Sequence, residues 1–404
     1  MSVEIPSQGI LLSSEERYDV WEVKTAERPD LLLLDANGGG EEKKDDVDKN
    51  DPLPLVDGCD VPGWRCNMLI ECSDYLQGLL NVGSGCTLTR RETQLPVVSS
   101  RSKKKWENLQ KQLMLPPQTT AKRIPEHEAL ALSHYPWFEK ENVPVILEGL
   151  TNSWKAMETC RFDRLVDAFG HMHWRFSDTH CSTMTIDTYK KYVNSIESQT
   201  DDAPLAVYDS QLHTDEREAL LRDYTVPECF GAPDLFECLG ENDRPPYRWI
   251  LIGPARSGTG LHIDPLGTHA WVTLLEGCKR WVLFPCGTDN ATIGMQNPQI
   301  PSALWFSSKW YQQAIEQVSG AIEILQLPGE TVYVPCGWPH LVLNLEFSTA
   351  ITHNYATEYP SMKRIETAVK REEPEMFPKW LNLLQRSRRD LFETMDKYDN
   401  NADD

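Results

Sequence analysis

The stretch RPPYRWILIGPARSGTGLHIDPLGTHAWVTLLEGCKRWVLFP, residues 244–285, decides the fold. It holds three runs of β-branched, aromatic and apolar residues, Trp249–Ile252, Ala270–Leu275 and Arg280–Phe284, separated by turn-forming segments. The Glu276–Gly277 break predicts a hairpin between the last two. A second pair follows, Glu330–Val334 and Leu341–Leu345, around the turn PCGWP at 335–339, and then a strand at Thr349–Tyr355. Closely spaced antiparallel strands with Gly/Pro turns predict a sandwich or barrel, mostly β, rather than a parallel α/β sheet.

Outward from this stretch the pattern changes. VPVIL at 143–147 and Ala206–Tyr208 read as short strands, and Phe162–Phe169 and Ile186–Ile196 as amphipathic flanking helices. After Pro360 the periodicity is helical, through Trp380, Leu383, Leu384, Leu391 and Met395. That apolar stripe fits docking on the barrel or pairing of two subunits into a homodimer, with docking slightly favoured. The chain divides into an acidic disordered segment at 1–60, a small helical appendage or linker at 61–120, the main domain at 121–360 and C-terminal helices with a polar tail at 361–404.

Composition sets outer bounds. The chain has 404 residues, 40% hydrophobic and 25% charged, which excludes disorder along its whole length. No run approaches the roughly 18 apolar residues that cross a bilayer, and the N-terminus has no secretory pattern. The net charge is −21, with 16 acids and 6 bases in residues 1–60 alone. Such a field disfavours phosphate backbones and anionic lipid and favours basic protein segments. Eleven cysteines without metal-type spacing read as reduced thiols of a nuclear or cytoplasmic protein. Lys103–Lys105 reads as a solvated helix start rather than an import signal.

The sharpest chemical feature is His262-Ile263-Asp264. In extended chain, residues i and i+2 share a face, so imidazole and carboxylate converge. His340, just after the PCGWP turn, is the natural third member. Two histidines and one carboxylate form the facial triad of non-haem Fe(II) oxygenases, which leaves coordination positions open; zinc more often takes four protein ligands. Lys279, Trp281 and Leu283 share one strand face. If that face is interior, the lysine needs an anion, and a dicarboxylate supplies one. Thr352 is placed to donate to the same carboxylate. The loop Gly253–Gly260 imitates a phosphate loop but lacks its lysine. The tryptophans at 249, 271, 281 and 338 read mainly as core.

These residues, with LPGETVYVPCGWPHLVLNL (327–345) and AITHNYA (350–356), resemble the JmjC-domain oxygenases. More narrowly, they resemble the bifunctional arginine demethylase and lysyl hydroxylase group. The similarity extends upstream through VPVILEGLTNSW, DTYKKYVNS and DDAPLAVYDS, covering roughly 130–360. The resemblance implies a double-stranded β-helix (a jelly-roll or cupin-like barrel) with Fe(II) on His262, Asp264 and His340. It implies 2-oxoglutarate on Lys279, Thr352 and Thr259, with Asn354 lining the site, and O2 as second cosubstrate. The implied reaction couples decarboxylation to succinate with hydroxylation of a protein C–H bond; on an N-methyl group the product loses formaldehyde. Histone tails or Arg/Ser-rich proteins in the nucleus are the implied substrates. The sequence leaves RNA association open.

Three positions depart from that group's pattern. Val272 stands where an asparagine usually helps hold the cosubstrate. Ala206 stands in place of a tyrosine, although Tyr208 lies two residues on, and His353 replaces a glutamine. These departures motivate an alternative, a catalytically weakened binding module that recruits partners. A cupin-like metal enzyme without a keto acid is a weaker third reading, because it leaves Lys279 without a role.

Overall fold

The computed structural model describes residues 81–82, 100–176, 182–195, 198–199, 204–295, 301–359 and 362–391. The expected acidic segment at 1–60 and most of the appendage at 61–120 lie outside these residues, as do the side chains of Lys103–Lys105. No described helix is long and apolar enough to cross a membrane.

The strands in chain order are β1 (Asn81–Val82), β2 (Lys122–Ile124), β3 (Val145–Leu147), β4 (His173–Arg175), β5 (Ser182–Thr185), β6 (Val207–Asp209) and β7 (Arg248–Gly253). They continue with β8 (Gly258–His262), β9 (His269–Glu276), β10 (Lys279–Leu283), β11 (Ile322–Gln326), β12 (Thr331–Val334), β13 (His340–Asn344) and β14 (Ser348–Tyr355). Seven of them form a major sheet in the order β2-β3-β12-β9-β14-β7-β6. The minor sheet has the order β11-β10-β13-β8, and β1-β5-β4 make a small separate sheet. From β7 to β14 the chain passes repeatedly between the two large sheets, which is the double-stranded β-helix.

This topology corrects the two expected hairpins. β9 and β10 do not pair: β9 lies between β12 and β14, and β10 between β11 and β13. The Glu276–Gly277 turn is a corner between sheets. Gly277 has φ +89°, and a Cβ there would sit 2.1 Å from the Phe347 carbonyl oxygen. β12 and β13 are likewise split between the sheets by the PCGWP turn. The physical reason lies in burial: β9 and β10 are covered on both faces, so each takes a central place in its own layer.

Between the sheets, Val272, Leu274, Trp281, Leu283, Ile324, Val332, Val342 and Ala350 form one core. The outer face of the major sheet packs Trp271, Tyr333, Ile351 and Tyr355 against Phe138, Trp154 and Phe230. Leu109 and Leu113, from the helix Ser100–Leu113, pack with Val282, Leu341 and Leu343 of the minor sheet and with Trp305 and Tyr311. The C-terminal helices Met362–Glu372 and Phe377–Ser387 dock within the chain. Ile365, Val369, Trp380 and Leu384 pack against Leu235, Phe236 and Leu266. All six described cysteines, 160, 229, 238, 278, 286 and 336, are free thiols.

Arg280 is buried on the outer side of β10, where its guanidinium pairs with Glu323 at 2.8 Å and donates to the carbonyls of Leu113 and Leu115. Tyr311 donates to the same Glu323 at 2.6 Å. This pair ties the end of the helix Ser100–Leu113 to the barrel. Arg280→Ala should cost about 3–5 kcal/mol in denaturant unfolding, because it strands a buried carboxylate. Restoring neutrality with Glu323→Gln in the same chain should recover part of that loss.

Candidate active site

β8 and β13 pair with His262 directly opposite His340. Opposed residues project to one face, so the two rings meet with centroids 4.2 Å apart. The strands approach closely at Gly258, where a Cβ would lie 2.1 Å from the Val342 carbonyl oxygen. Asp264 falls two residues past the end of β8, in extended conformation (φ −58°, ψ 139°). It thus keeps the alternation of the strand without belonging to it, and Ile263 points outward, 41% exposed.

The second nitrogens of both rings are engaged. His262 Nδ1 lies 2.8 Å from the Gly260 carbonyl and His340 Nδ1 lies 2.9 Å from that of Trp338. A carbonyl only accepts, so each Nδ1 carries the proton and each Nε2 offers its lone pair inward. His262 Nε2 is 3.7 Å from Asp264 Oδ1, and His340 Nε2 is 3.9 Å from Asp264 Oδ2. These separations are too long for hydrogen bonds. All three donor atoms lie within 4.8 Å of one another, so small side-chain movements close them on one ion. Asp264 Oδ2 is buried without a hydrogen-bond partner, a costly state that a cation would relieve. Burial, together with the neighbouring His262, lowers the His340 pKa to about 4, keeping it in the neutral, metal-binding form. For Asp264, burial opposes ionisation, but a proton on His340 or His262 lowers its pKa, so carboxylate and imidazoles share charge as a coupled cluster. The donor set therefore fits Fe(II).

Lys279 stands opposite Asn344 in the β10–β13 pair, while Leu283 stands opposite His340. The lysine is therefore four residues from the histidine, about 13 Å along the strands. Its strand-mates Trp281 and Leu283 lie in the inter-sheet core, so the face is interior, as the alternation predicts. Lys279 is 4% exposed, and Nζ donates to Asn344 Oδ1 at 2.6 Å. Among the described residues no carboxylate pairs with it, and burial lowers its pKa to about 7. Asn344 Nδ2 donates to Ser257 Oγ at 2.8 Å, and Ser257 donates on to the Pro254 carbonyl at 2.6 Å. With its proton committed, Ser257 only accepts; the Asn344 amide is thereby fixed with its oxygen toward the lysine.

Thr352 lies opposite Val272, on the face of β14 that also carries Ala350 and Asn354. Asn354 Nδ2 donates to Thr268 Oγ1 at 3.0 Å, just beyond the Asp264 turn. Thr259 Oγ1 meets Tyr208 Oη at 3.2 Å, and Tyr208 also donates to the Gly258 carbonyl at 2.9 Å. Tyr208 reaches from the edge strand of the major sheet to that of the minor sheet and so takes the inward place vacated at Ala206. Its neighbour Asp209 is pinned by buried Arg217 at 2.5 Å. Val272 is buried beside the site and donates nothing. His353 is not in the site. It projects to the opposite face, stacks on Trp271 at 4.4 Å and bonds Tyr224 Oη at 2.7 Å. Trp271, Trp281 and Trp338 are core residues, as expected, whereas Trp249 is half-buried and belongs to none of the core clusters.

Asn344 and Ser257 were not evident as site residues in the sequence. The signal for Asn344 is its i+4 relation to His340 on one strand; Ser257 becomes relevant only through the strand pairing.

The turn after Asp264 is unusual. Leu266 has φ 58° and Gly267 φ 67°, two consecutive left-handed residues. For a leucine this conformation costs roughly 1–2 kcal/mol. The Leu266 N–H donates to Glu372 Oε2 at 2.6 Å, and the leucine side chain packs on the C-terminal helices.

A family model described as JmjC domain, hydroxylase, matches residues 249–355. The chain is 33% identical over 265 residues to the bifunctional arginine demethylase and lysyl-hydroxylase psr-1 of Caenorhabditis elegans, covering 63% of this chain and 66% of that protein. It is 38% identical over 226 residues to the lysine-specific demethylase JMJ21 of Arabidopsis thaliana, covering 53% of this chain and 23% of that one. It is 31% identical over 149 residues to the 2-oxoglutarate and iron-dependent oxygenase JMJD4 of Homo sapiens, covering 35% and 36%. In each case the match spans less than two thirds of the relative's own length. The eight-strand core β7–β14, with the histidine–aspartate–histidine cluster inside it, is thus the part of this chain that matches the JmjC domain of hydroxylases.

Proposed function

We propose that this protein is an Fe(II)- and 2-oxoglutarate-dependent dioxygenase that hydroxylates protein side chains. The observation that carries this reading is the pairing of a three-ligand cluster with a buried, uncompensated Lys279 in the same barrel. A metal bound at the three ligands supplies O2 activation and leaves positions open for the cosubstrate. His262, Asp264 and His340 hold that ion. Lys279 seats the distal carboxylate of the diacid, Asn344 keeps the ammonium aimed, and Thr352 and Thr259 contribute hydroxyls. The inter-sheet core around Val272, Trp281 and Val342 keeps water out. Asn354 and Thr268 brace the Asp264 side of the cavity.

The substrates we propose are basic protein segments, such as histone tails or Arg/Ser-rich proteins, acted on in the nucleus. The net charge of −21 favours them, and relatives are named for arginine demethylation and lysyl hydroxylation. Val272 favours a second reading, a binding module with weak cosubstrate affinity, which calorimetry separates from the first: micromolar binding of 2-oxoglutarate to the metal-loaded protein rejects it.

Conversion of 2-oxoglutarate to succinate should require Fe(II) and be abolished in His262→Ala; unchanged turnover in that variant defeats the assignment. In mass spectrometry of a basic peptide library, gain of one oxygen on lysine and loss of a methyl from methylarginine distinguish the two chemistries. The Lys279 pKa of about 7 adds a sign. The diacid needs the ammonium, so its apparent affinity should fall roughly tenfold per pH unit as pH rises above 7. In Lys279→Ala, titration calorimetry should show weak binding without that slope.

A further inference from the structure

We propose that Glu372, at the end of the helix Met362–Glu372, is a positioning residue for the metal ligand Asp264. Asp264 is followed by a turn that Leu266 enters in a left-handed conformation, and what holds that turn comes from the C-terminal helices. The Glu372 carboxylate accepts the Leu266 N–H at 2.6 Å, a charge-assisted bond. Ile365 and Ala368 of the same helix press on Gly267, where a Cβ would meet the Ile365 Cα at 3.3 Å and the Ala368 Cβ at 3.5 Å. The Leu266 side chain is buried among Ile365, Val369 and Trp380. Within the turn, Thr268 donates to the Pro265 carbonyl at 2.8 Å. Asp264 thus has a fixed backbone although it lies outside any strand, and its carboxylate is presented to His262 and His340 because Glu372 anchors the residue two positions on.

Glu372 is 29% exposed at its side chain and its other oxygen pairs with Arg371 on the surface, so the core does not need it for packing. Its separate role is to hold a backbone amide whose placement sets a ligand. The C-terminal helices thereby support the metal site, although none of their described residues is among its three candidate ligands.

The inference rests on the triad being the metal centre, and the test separates the two. Co(II) binding to the full chain is measured by anaerobic calorimetry for wild type, Glu372→Ala, Glu372→Gln and Asp264→Ala, with thermal midpoints of the metal-free proteins alongside. Glu372→Ala should bind Co(II) about 10-fold weaker, the lower end of the loss seen when a group bonded directly to a ligand is removed, because Glu372 acts on Asp264 through the backbone. Its metal-free midpoint should fall by only a few degrees, the cost of one orphaned backbone N–H, with the fold kept. Glu372→Gln, which keeps a carbonyl acceptor for the Leu266 N–H, should restore most of the affinity. Wild-type affinity in Glu372→Ala overturns the proposal, as does an equal loss in the Gln and Ala variants. If Asp264→Ala binds Co(II) like wild type, the triad itself is not the metal centre and the reading beneath falls with it.

Discussion

The register of β8 against β13 is the constraint on which the site depends. Placing His262 opposite His340 puts two imidazoles on one face with their centroids 4.2 Å apart. The residues are 78 apart in sequence, so no local preference produces that meeting. A slip of one residue would turn one ring to the other side of the sheet. Gly258 permits the close backbone approach on this pair, and the carbonyls of Gly260 and Trp338 set both tautomers. The cluster is built mainly from backbone geometry, with Asp264 the one ligand held from outside the strands.

Lys279 and Arg280 show how one pleat gives two adjacent cations opposite fates. Arg280 faces outward from the barrel, is buried under the helix Ser100–Leu113, and has Glu323 and two helix-end carbonyls as partners. Lys279 faces inward, has the Asn344 amide oxygen and, among the described residues, no carboxylate, and burial lowers its pKa to about 7. The first arrangement is a closed structural contact. The second is an open electrostatic demand, which the proposed diacid would meet.

The departures from the family pattern sort by the face they occupy. Val272 and Thr352 face each other across the β9–β14 pair inside the barrel, so the valine removes a donor from the cavity wall. His353, one residue along, is turned into the outer core, where its contacts with Trp271 and Tyr224 give it a packing role. Tyr208, two residues from Ala206 and of the same parity, brings a hydroxyl to Thr259 across the gap between the sheet edges.

The sequence by itself determined six of the eight barrel strands, though not β8 or β11, together with the alternation along them and the chemistry they carry. His262-Ile263-Asp264 and Lys279 with Trp281 and Leu283 were legible because a two-residue period is a local property of extended chain, whereas Asn354 came from the family resemblance. The helix Phe162–Phe169 was legible for the same kind of reason, its apolar residues repeating at the helical period. Which strand lies beside which was not legible. Short connections at 276–278 and 335–339 imitate hairpin turns, but strands apolar on both faces are driven to the centres of separate layers. Their neighbours then come from far along the chain. That distant pairing joined His340 to His262 and supplied Asn344 and Ser257 to Lys279, and the docking of the helix Met362–Glu372 brought Glu372 to the turn behind Asp264.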